Sequence, residues 1–305
     1  MSYNFRLIIS GTIFFSILTT MIGCSKKEIN KNSIQIKGSD TEVNLVQRLS
    51  EAYMEKLPEV SIAITGGGSG TGIAALINKQ TDIANSSRSM KNAEIEQAKA
   101  KGVEPIPIIF ALDGLAIITH ESLSVNSLNI NEVADIFKGN IINWRTLGGP
   151  DLEISMYGRQ SNSGTFVYFR DTVLKGDYAT NVRRMNGTAQ IVEAVRKDKA
   201  GIGYVGIGYV VNEEGNVISE IKIQNLAKDA DSPPVSPLES KNVKSGAYPL
   251  SRPLFQYTNG MPAGGLLEFV QFELSQEGQT LIENEGYYPI TDKHMEHNRS
   301  LGLIK

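Results

Sequence analysis

Twice between residues 34 and 77 the chain repeats one pattern: a short apolar run, a turn rich in Gly, Ser and Thr, then apolar residues at helical spacing. Residues 34–37 alternate as a strand, Gly38, Ser39, Asp40 and Thr41 form a turn, and Val43, Val46, Leu49 and Tyr53 mark one helix face that ends at Pro58. Residues 60–64 read as a second strand, residues 66–72 as a glycine-rich turn, and Ile73, Ala74, Leu76 and Ile77 as the next helix face. A helix between two strands is the connection that a parallel pair requires, so this segment predicts an α/β fold with open, mostly parallel sheets covered by helices.

The same grammar continues downstream. Residues 82–84 suit a short third strand with Asn85, Ser86, Ser87 and Arg88 at its carboxyl end, followed by a charged helix to about Lys101. Residues 103–110 read as extended, punctuated by Pro105 and Pro107, and residues 114–119 as a buried strand. A second unit offers a helix at 130–137, a packed corner at Asn143 and Trp144, a strand at 154–157 running into Arg159, helices near 165–173 and 188–197, and a strand at 202–205. Residues 228–246 form a long surface connection. Residues 248–255 are extended, with Pro249 and Pro253 arguing against a place inside a sheet. Helices at 265–275 and 276–285 precede a polar tail from His294.

The first 24 residues differ from the rest. Arg6 is their only charged side chain, residues 7–22 are mostly apolar, and Gly23 and Cys24 end the run before a polar stretch. This reads as a signal peptide over 1–23 and a tether over 24–33, and the Gly-Cys ending resembles the bacterial lipoprotein processing motif, which implies acylation of Cys24. Acyl chains contribute about 0.8 kcal/mol per buried methylene and would hold the chain to a lipid bilayer. Cys24 is the only cysteine, so the mature chain has no internal disulfide. The formal charge of −3 becomes more negative once Arg6 is removed, and no basic block occurs, which argues against nucleic acid as a partner.

The chemistry concentrates at Arg159, Ser163, Gly164 and Thr165. A guanidinium, two hydroxyls and a glycine that lets backbone N–H groups crowd together are donors for a small anion, with no base to activate a nucleophile. Residues 38–41 and 66–72 repeat that chemistry at helix starts, where unpaired N–H groups and the helix dipole favour negative charge. The three histidines, His120, His294 and His297, stand apart from any Gly-x-Ser-x-Gly elbow, no Cys/His cluster exists, and the glycine run lacks the Gly-Lys-Ser/Thr ending of a nucleotide loop. The expectation is a receptor for a compact oxyanion, not an enzyme, with neither cofactor nor metal.

At this point the chain resembles the phosphate-binding lipoprotein of bacterial phosphate ABC transporters, a type II solute-binding fold. The resemblance rests on residues 38–41, residues 68–72, Asp82-Ile83-Ala84 with Ser86-Ser87-Arg88, residues 113–116, Asn143-Trp144, Arg159 with Ser163-Gly164-Thr165, and residues 202–205. It implies two lobes, each a mixed, mostly parallel sheet flanked by helices, with the ligand in the cleft. Residues 34–112 and 250–305 would form lobe 1 and residues 113–249 lobe 2. It implies that Thr41, the backbone of Glu42, Ser69, Asp82, Arg159, Ser163, Gly164 and Thr165 hold inorganic phosphate, with Asp82 near Ser163 and accepting the proton that distinguishes phosphate from sulfate. Arg88 has a weaker claim. Asp40 departs from the small residue expected in the first turn and brings a negative side chain near the anion. The implied partners are phosphate, the transmembrane permease subunits and, through Cys24, the bilayer, for a monomeric chain. Arsenate, sulfate or molybdate in place of phosphate, or an adhesion or signalling lipoprotein on the same scaffold, are the competing readings.

Overall fold

Strand and helix alternate from Ser33 onward. The structure is a computed structural model that describes residues 33–212 and 214–304 besides Met1; Cys24 and the residues read from the sequence as signal peptide and tether, as far as residue 32, lie outside the described residues. In chain order the first elements are β1 (Ser33–Gly38), α1 (Val43–Lys56), β2 (Ser61–Thr65), α2 (Ser69–Ile77), β3 (Ile83–Ser86), α3 (Asn92–Ala100) and β4 (Pro105–Gly114). They are followed by β5 (Ala116–His120), β6 (Ser127–Asn129), α4 (Ile130–Lys138), β7 (Ser155–Arg159), α5 (Gly164–Phe169), β8 (Arg183–Met185), α6 (Thr188–Arg196), β9 (Gly201–Val205), β10 (Ile221–Ile223), β11 (Asn225–Ala227) and α7 (Ser240–Lys244). The last are β12 (Ser251–Asn259), α8 (Gly265–Leu274), α9 (Gln276–Asn284) and α10 (Asp292–Ser300).

Two five-stranded mixed sheets organise these elements, in the orders β2-β1-β3-β12-β4 and β10-β5-β9-β7-β8, beside a small β6/β11 pair. β1 runs parallel to β2 and β3, and β7 runs parallel to β8 and β9, with Ile36 opposite Ile64 and Ile83 in the first ladder. The chain leaves the first sheet for the second at Leu115 and returns at Ser251. One face of the first sheet is sealed by Leu45, Val46 and Leu49 of α1 with Phe269 and Val270 of α8, and the other by Ile73 and Leu76 of α2. Among the described residues no helix is long and apolar enough to cross a membrane.

Local chemistry explains the element ends. Asn129 caps α4 by accepting from the N–H groups of Asn131 and Glu132, Glu132 reaches back to the Asn129 N–H, and Gly139 closes the helix in the left-handed region. Trp144 is buried at the corner read from the sequence, its indole N–H donating to the Ala200 carbonyl at 3.0 Å.

Two sequence expectations change. Pro253 sits in β12, an interior strand, because β3 pairs only with Phe255, Gln256 and Tyr257. On that side Pro253 lies beyond the end of its neighbour, and its missing N–H leaves no bond unmade. The polar tail folds as α10, whose buried Asn298 accepts from the Ile109 N–H at 3.1 Å and donates to the Ile109 carbonyl at 2.7 Å. That amide occupies the outer edge of β4, which would otherwise expose its backbone.

Candidate anion-binding site

The turns that follow β1, β2, β3 and β7 meet, and they carry the hydroxyls of Thr41, Ser69, Ser87 and Thr165 respectively. Thr41 Oγ1 lies 2.9 Å from Thr165 Oγ1, Ser87 Oγ lies 3.3 Å from the same oxygen, and Ser69 Oγ lies 3.4 Å from Ser87 Oγ. Thr41, Ser69 and Ser87 come from the first sheet's connections and Thr165 from the second's, so donors far apart in sequence converge. Ser163 caps α5, its hydroxyl accepting from the Phe166 N–H at 3.4 Å. The approach is close enough to demand glycine: a Cβ on Gly164 would collide with Ser69 Oγ and stand 2.8 Å from Ser87 Oγ. Gly68 has φ of 91°, and a Cβ there would come within 2.8 Å of the Asn162 carbonyl, which accepts the Gly70 N–H at 2.9 Å.

Arg159 ends β7 and is held on every side. Its Nε donates to Gln160 Oε1 at 3.2 Å, Nη1 to Thr188 Oγ1 at 2.8 Å, and Nη2 to the Asp40 carboxylate. Its backbone N–H donates to Tyr204 Oη at 3.1 Å, and Tyr204 stacks on Phe169 at 4.2 Å, which fixes the strand end. Asp40 also accepts the Gly67 N–H at 2.8 Å, so one carboxylate ties the first turn to the glycine run and to Arg159. The carbonyls of Asp40 and Thr41 are pinned from outside, each accepting at 2.5 Å from Tyr209 and Tyr287 respectively. Burial pushes the Tyr209 hydroxyl up to about 12, so it remains a donor.

A second guanidinium enters from β12. Arg252 donates through Nε and Nη2 to Asp113 Oδ2 at 3.0 and 2.8 Å, through Nη2 to Thr165 Oγ1 at 3.1 Å and through Nη1 to the Ser87 carbonyl at 3.1 Å. Thr165 therefore accepts from Arg252, and Ser69 accepts the Ser87 N–H at 3.2 Å, which leaves both hydroxyl hydrogens to be donated. Four hydroxyls beside Arg252, on turns to which Asp40 ties Arg159, suit a ligand composed of acceptors.

Among the predicted ligand residues, Thr41, Ser69, Arg159, Ser163, Gly164 and Thr165 gather at this point, and the Glu42 N–H donates to the Ser39 carbonyl at 3.2 Å. Asp82 does not gather there. It is exposed at the opposite end of β3, where its carboxylate accepts the Gln35 N–H at 2.7 Å. Five strand positions at about 3.3 Å each put it roughly 16 Å along the chain from Ser87. The carboxylate at the site is Asp40. Arg88 is also elsewhere, forming a two-pronged pair with Glu94 at 2.7 and 2.8 Å that secures the start of α3. Sequence reasoning assigned no role to Ser87, Thr188, Arg252 or Asp113. A charge inside an apolar run was the available signal for the last two, since a charge there must find a buried partner.

Two carboxyls are buried without an ion-pair partner among the described residues. Burial pushes both Glu42 and Glu273 well above the usual range, and Glu273 accepts from Gln256 Nε2 at 3.0 Å. The folded protein then holds protons that the unfolded chain releases, so stability is greatest below the ordinary glutamate pKa and declines as pH rises toward the folded one. The slope is up to about 1.4 kcal/mol per pH unit for each group. Glu273→Gln is expected to remove one such slope, read as a smaller loss of urea midpoint between acidic and neutral pH than in the parent.

Residues 25–277 match the model of the PBP superfamily domain. The phosphate-binding protein PstS of Pseudomonas aeruginosa is 34% identical over 285 residues, spanning 87% of this chain and 86% of that protein. The chain belongs to the phosphate-binding protein family of the PBP superfamily. Another PBP relative, PstS of Bacillus subtilis, is 28% identical over 267 residues, covering 87% and 83%. A substrate-binding protein assigned to a phosphate ABC transporter of Clostridium perfringens, crystallised with phosphate, superposes with a TM-score of 0.75 at 28% identity over 85% of this chain and 100% of that one. A phosphate transport receptor of Vibrio cholerae gives 0.64 at 27% identity over 84% and 99%. The two sheets are thus the two lobes of a PBP-like fold, which here is a solute-binding protein and not an enzyme.

Proposed function

We propose that this chain captures inorganic phosphate on the outer side of a membrane and delivers it to the permease subunits of an ABC transporter, held to the bilayer by acylated Cys24 and acting as a monomer. The observation that carries the reading is the convergence of four hydroxyls, from Thr41, Ser69, Ser87 and Thr165, beside Arg252, with Arg159 tied to the Thr41 turn through Asp40. Residues 34–112 and 250–305 act as one lobe and residues 113–249 as the other, closing on the anion between them.

Asp40 takes the selective role that the family resemblance implied for Asp82. Phosphate keeps a proton at neutral pH and can donate it to a carboxylate, whereas sulfate offers only acceptors and would place charge against charge. A repulsion of that kind costs roughly 3 kcal/mol, about a hundredfold in affinity.

Calorimetric titration of the purified protein with phosphate and with sulfate tests both parts. The parent is expected to bind phosphate far more tightly than sulfate. Asp82→Asn is expected to change phosphate affinity less than about twofold, as an exposed residue should, while Asp40→Asn narrows the gap between the two anions. Equal binding of both anions by the parent, or loss of discrimination on Asp82→Asn alone, would sink this account.

A further inference from the structure

Directly beneath the anion turn lies a buried polar box that the binding account does not use. Ser39, Glu42, Asn85, Gln256 and Glu273 are each at most 2% exposed. Asn85 and Gln256 are register partners on neighbouring strands, Gln256 Nε2 donates to Glu273 Oε1 at 3.0 Å, and the Ser39 N–H donates to the Asn85 carbonyl at 3.0 Å. Six oxygens here have no hydrogen-bond partner among the described residues: Ser39 Oγ, both carboxyl oxygens of Glu42, Asn85 Oδ1, Gln256 Oε1 and Glu273 Oε2. The Ser39 hydroxyl is turned toward Glu42 without closing a bond. The shortage is of donors, and protons on the two carboxyls would supply two.

Glu42 is also the residue after Thr41 and the N-cap of α1, so its side chain is one peptide unit from the anion turn. The charged groups facing it are Arg252 on β12, Asp113 on β4 and Glu273 on α8, with the hydroxyls of Tyr209, Tyr257 and Tyr287 also within its field. Arg252 is the single cation in that set and is engaged by Asp113 at 2.8 Å. A charged Glu42 would therefore face the Asp113 carboxylate, and an anion on Thr41 would add a further negative group.

We propose that Glu42 is the proton-linked element of the anion site: it is a neutral acid when the site is filled and a carboxylate when the site is emptied at alkaline pH, so that anion and proton are taken up together. The step forms one O–H bond on the Glu42 carboxylate with a proton from solvent. Linkage makes the effect mutual, the anion raising the proton affinity of Glu42 and the proton raising the affinity for the anion. Burial, which pushes the Glu42 carboxyl up, agrees with this direction. The inference rests on the phosphate reading above and adds its regulation by pH.

The experiment is calorimetric titration with inorganic phosphate in buffers of different ionisation enthalpy from about pH 6 to about pH 9, on the parent, Glu42→Gln and Glu273→Gln. The parent is expected to take up more protons per phosphate than Glu42→Gln, and the ratio of its Kd to that of the variant is expected to rise by up to about tenfold per pH unit within the window. Glu273→Gln, away from the turn, is expected to keep the parent's proton number. Infrared difference spectra should show a protonated-carboxyl band gained on adding phosphate to the parent and missing in Glu42→Gln; if that variant does not fold, the parent's band alone decides. Equal proton numbers with a flat Kd ratio, or affinity that follows sodium or calcium at constant ionic strength instead of pH, would overturn the proposal. A parent that binds no phosphate would overturn the function itself, a result distinct from binding without the proton difference.

Discussion

Arg252→Ala is expected to lower the stability of the protein by about 3–5 kcal/mol and to abolish measurable phosphate binding. The reason is what it leaves behind. Asp113 is 0% exposed and Arg252 2%, and Asp113 is held by two of the guanidinium nitrogens, so deletion strands a charge in the interior. Asp113 also accepts the Ile207 N–H at 3.1 Å, which ties the crossover after β4 to the turn after β9. Removing both charges separates the two consequences. Arg252→Met with Asp113→Asn keeps an acceptor for Ile207 and is expected to recover most of the stability, because a matched loss of a buried pair is often near neutral. Binding should not return, since the site has then lost the guanidinium that donates to Thr165. Urea unfolding and calorimetry read the two quantities, and a double variant that still bound phosphate at parental affinity would remove Arg252 from the site.

Gly164→Ala is expected to weaken phosphate binding about 10- to 100-fold while barely changing the unfolding midpoint. The added methyl would collide with Ser69 Oγ and press on Ser87 Oγ at 2.8 Å, contacts made only when the turn at the start of α5 rests on the turns from the first sheet. Overpacking of that size costs about 1–3 kcal/mol. Gly164 is the first residue of α5 and its backbone lies outside the left-handed region, so alanine suits the helix itself. The cost therefore falls on closure and not on folding. Parental affinity in Gly164→Ala would show that the two lobes need not approach this closely to hold the anion.

Much of this architecture is legible in local pattern. The strand, donor turn and helix of residues 34–77 and the run from Arg159 to Thr165 are read from spacing alone, because side-chain periodicity and helix-start chemistry depend on neighbours in the chain. The failures were of another kind. Asp82 and Ser87 belong to one short stretch, yet the extended rise of the strand carries them to opposite ends of β3, and only the register of β1 beside it shows which end meets the site. Pro253 argued against an interior strand, but the neighbour on one side stops short of it.

The amino-acid sequence by itself determined the α/β class, the donor turns, the lone cysteine behind an apolar run and the family resemblance that the comparisons bear out. Tertiary structure alone decided which charges pair: Asp113 meets Arg252 across 139 residues and Asp40 meets Arg159 across 119. Pairing at that separation is set by sheet order and strand register, which no local rule encodes, and a buried charge is tolerated only where the fold delivers its partner.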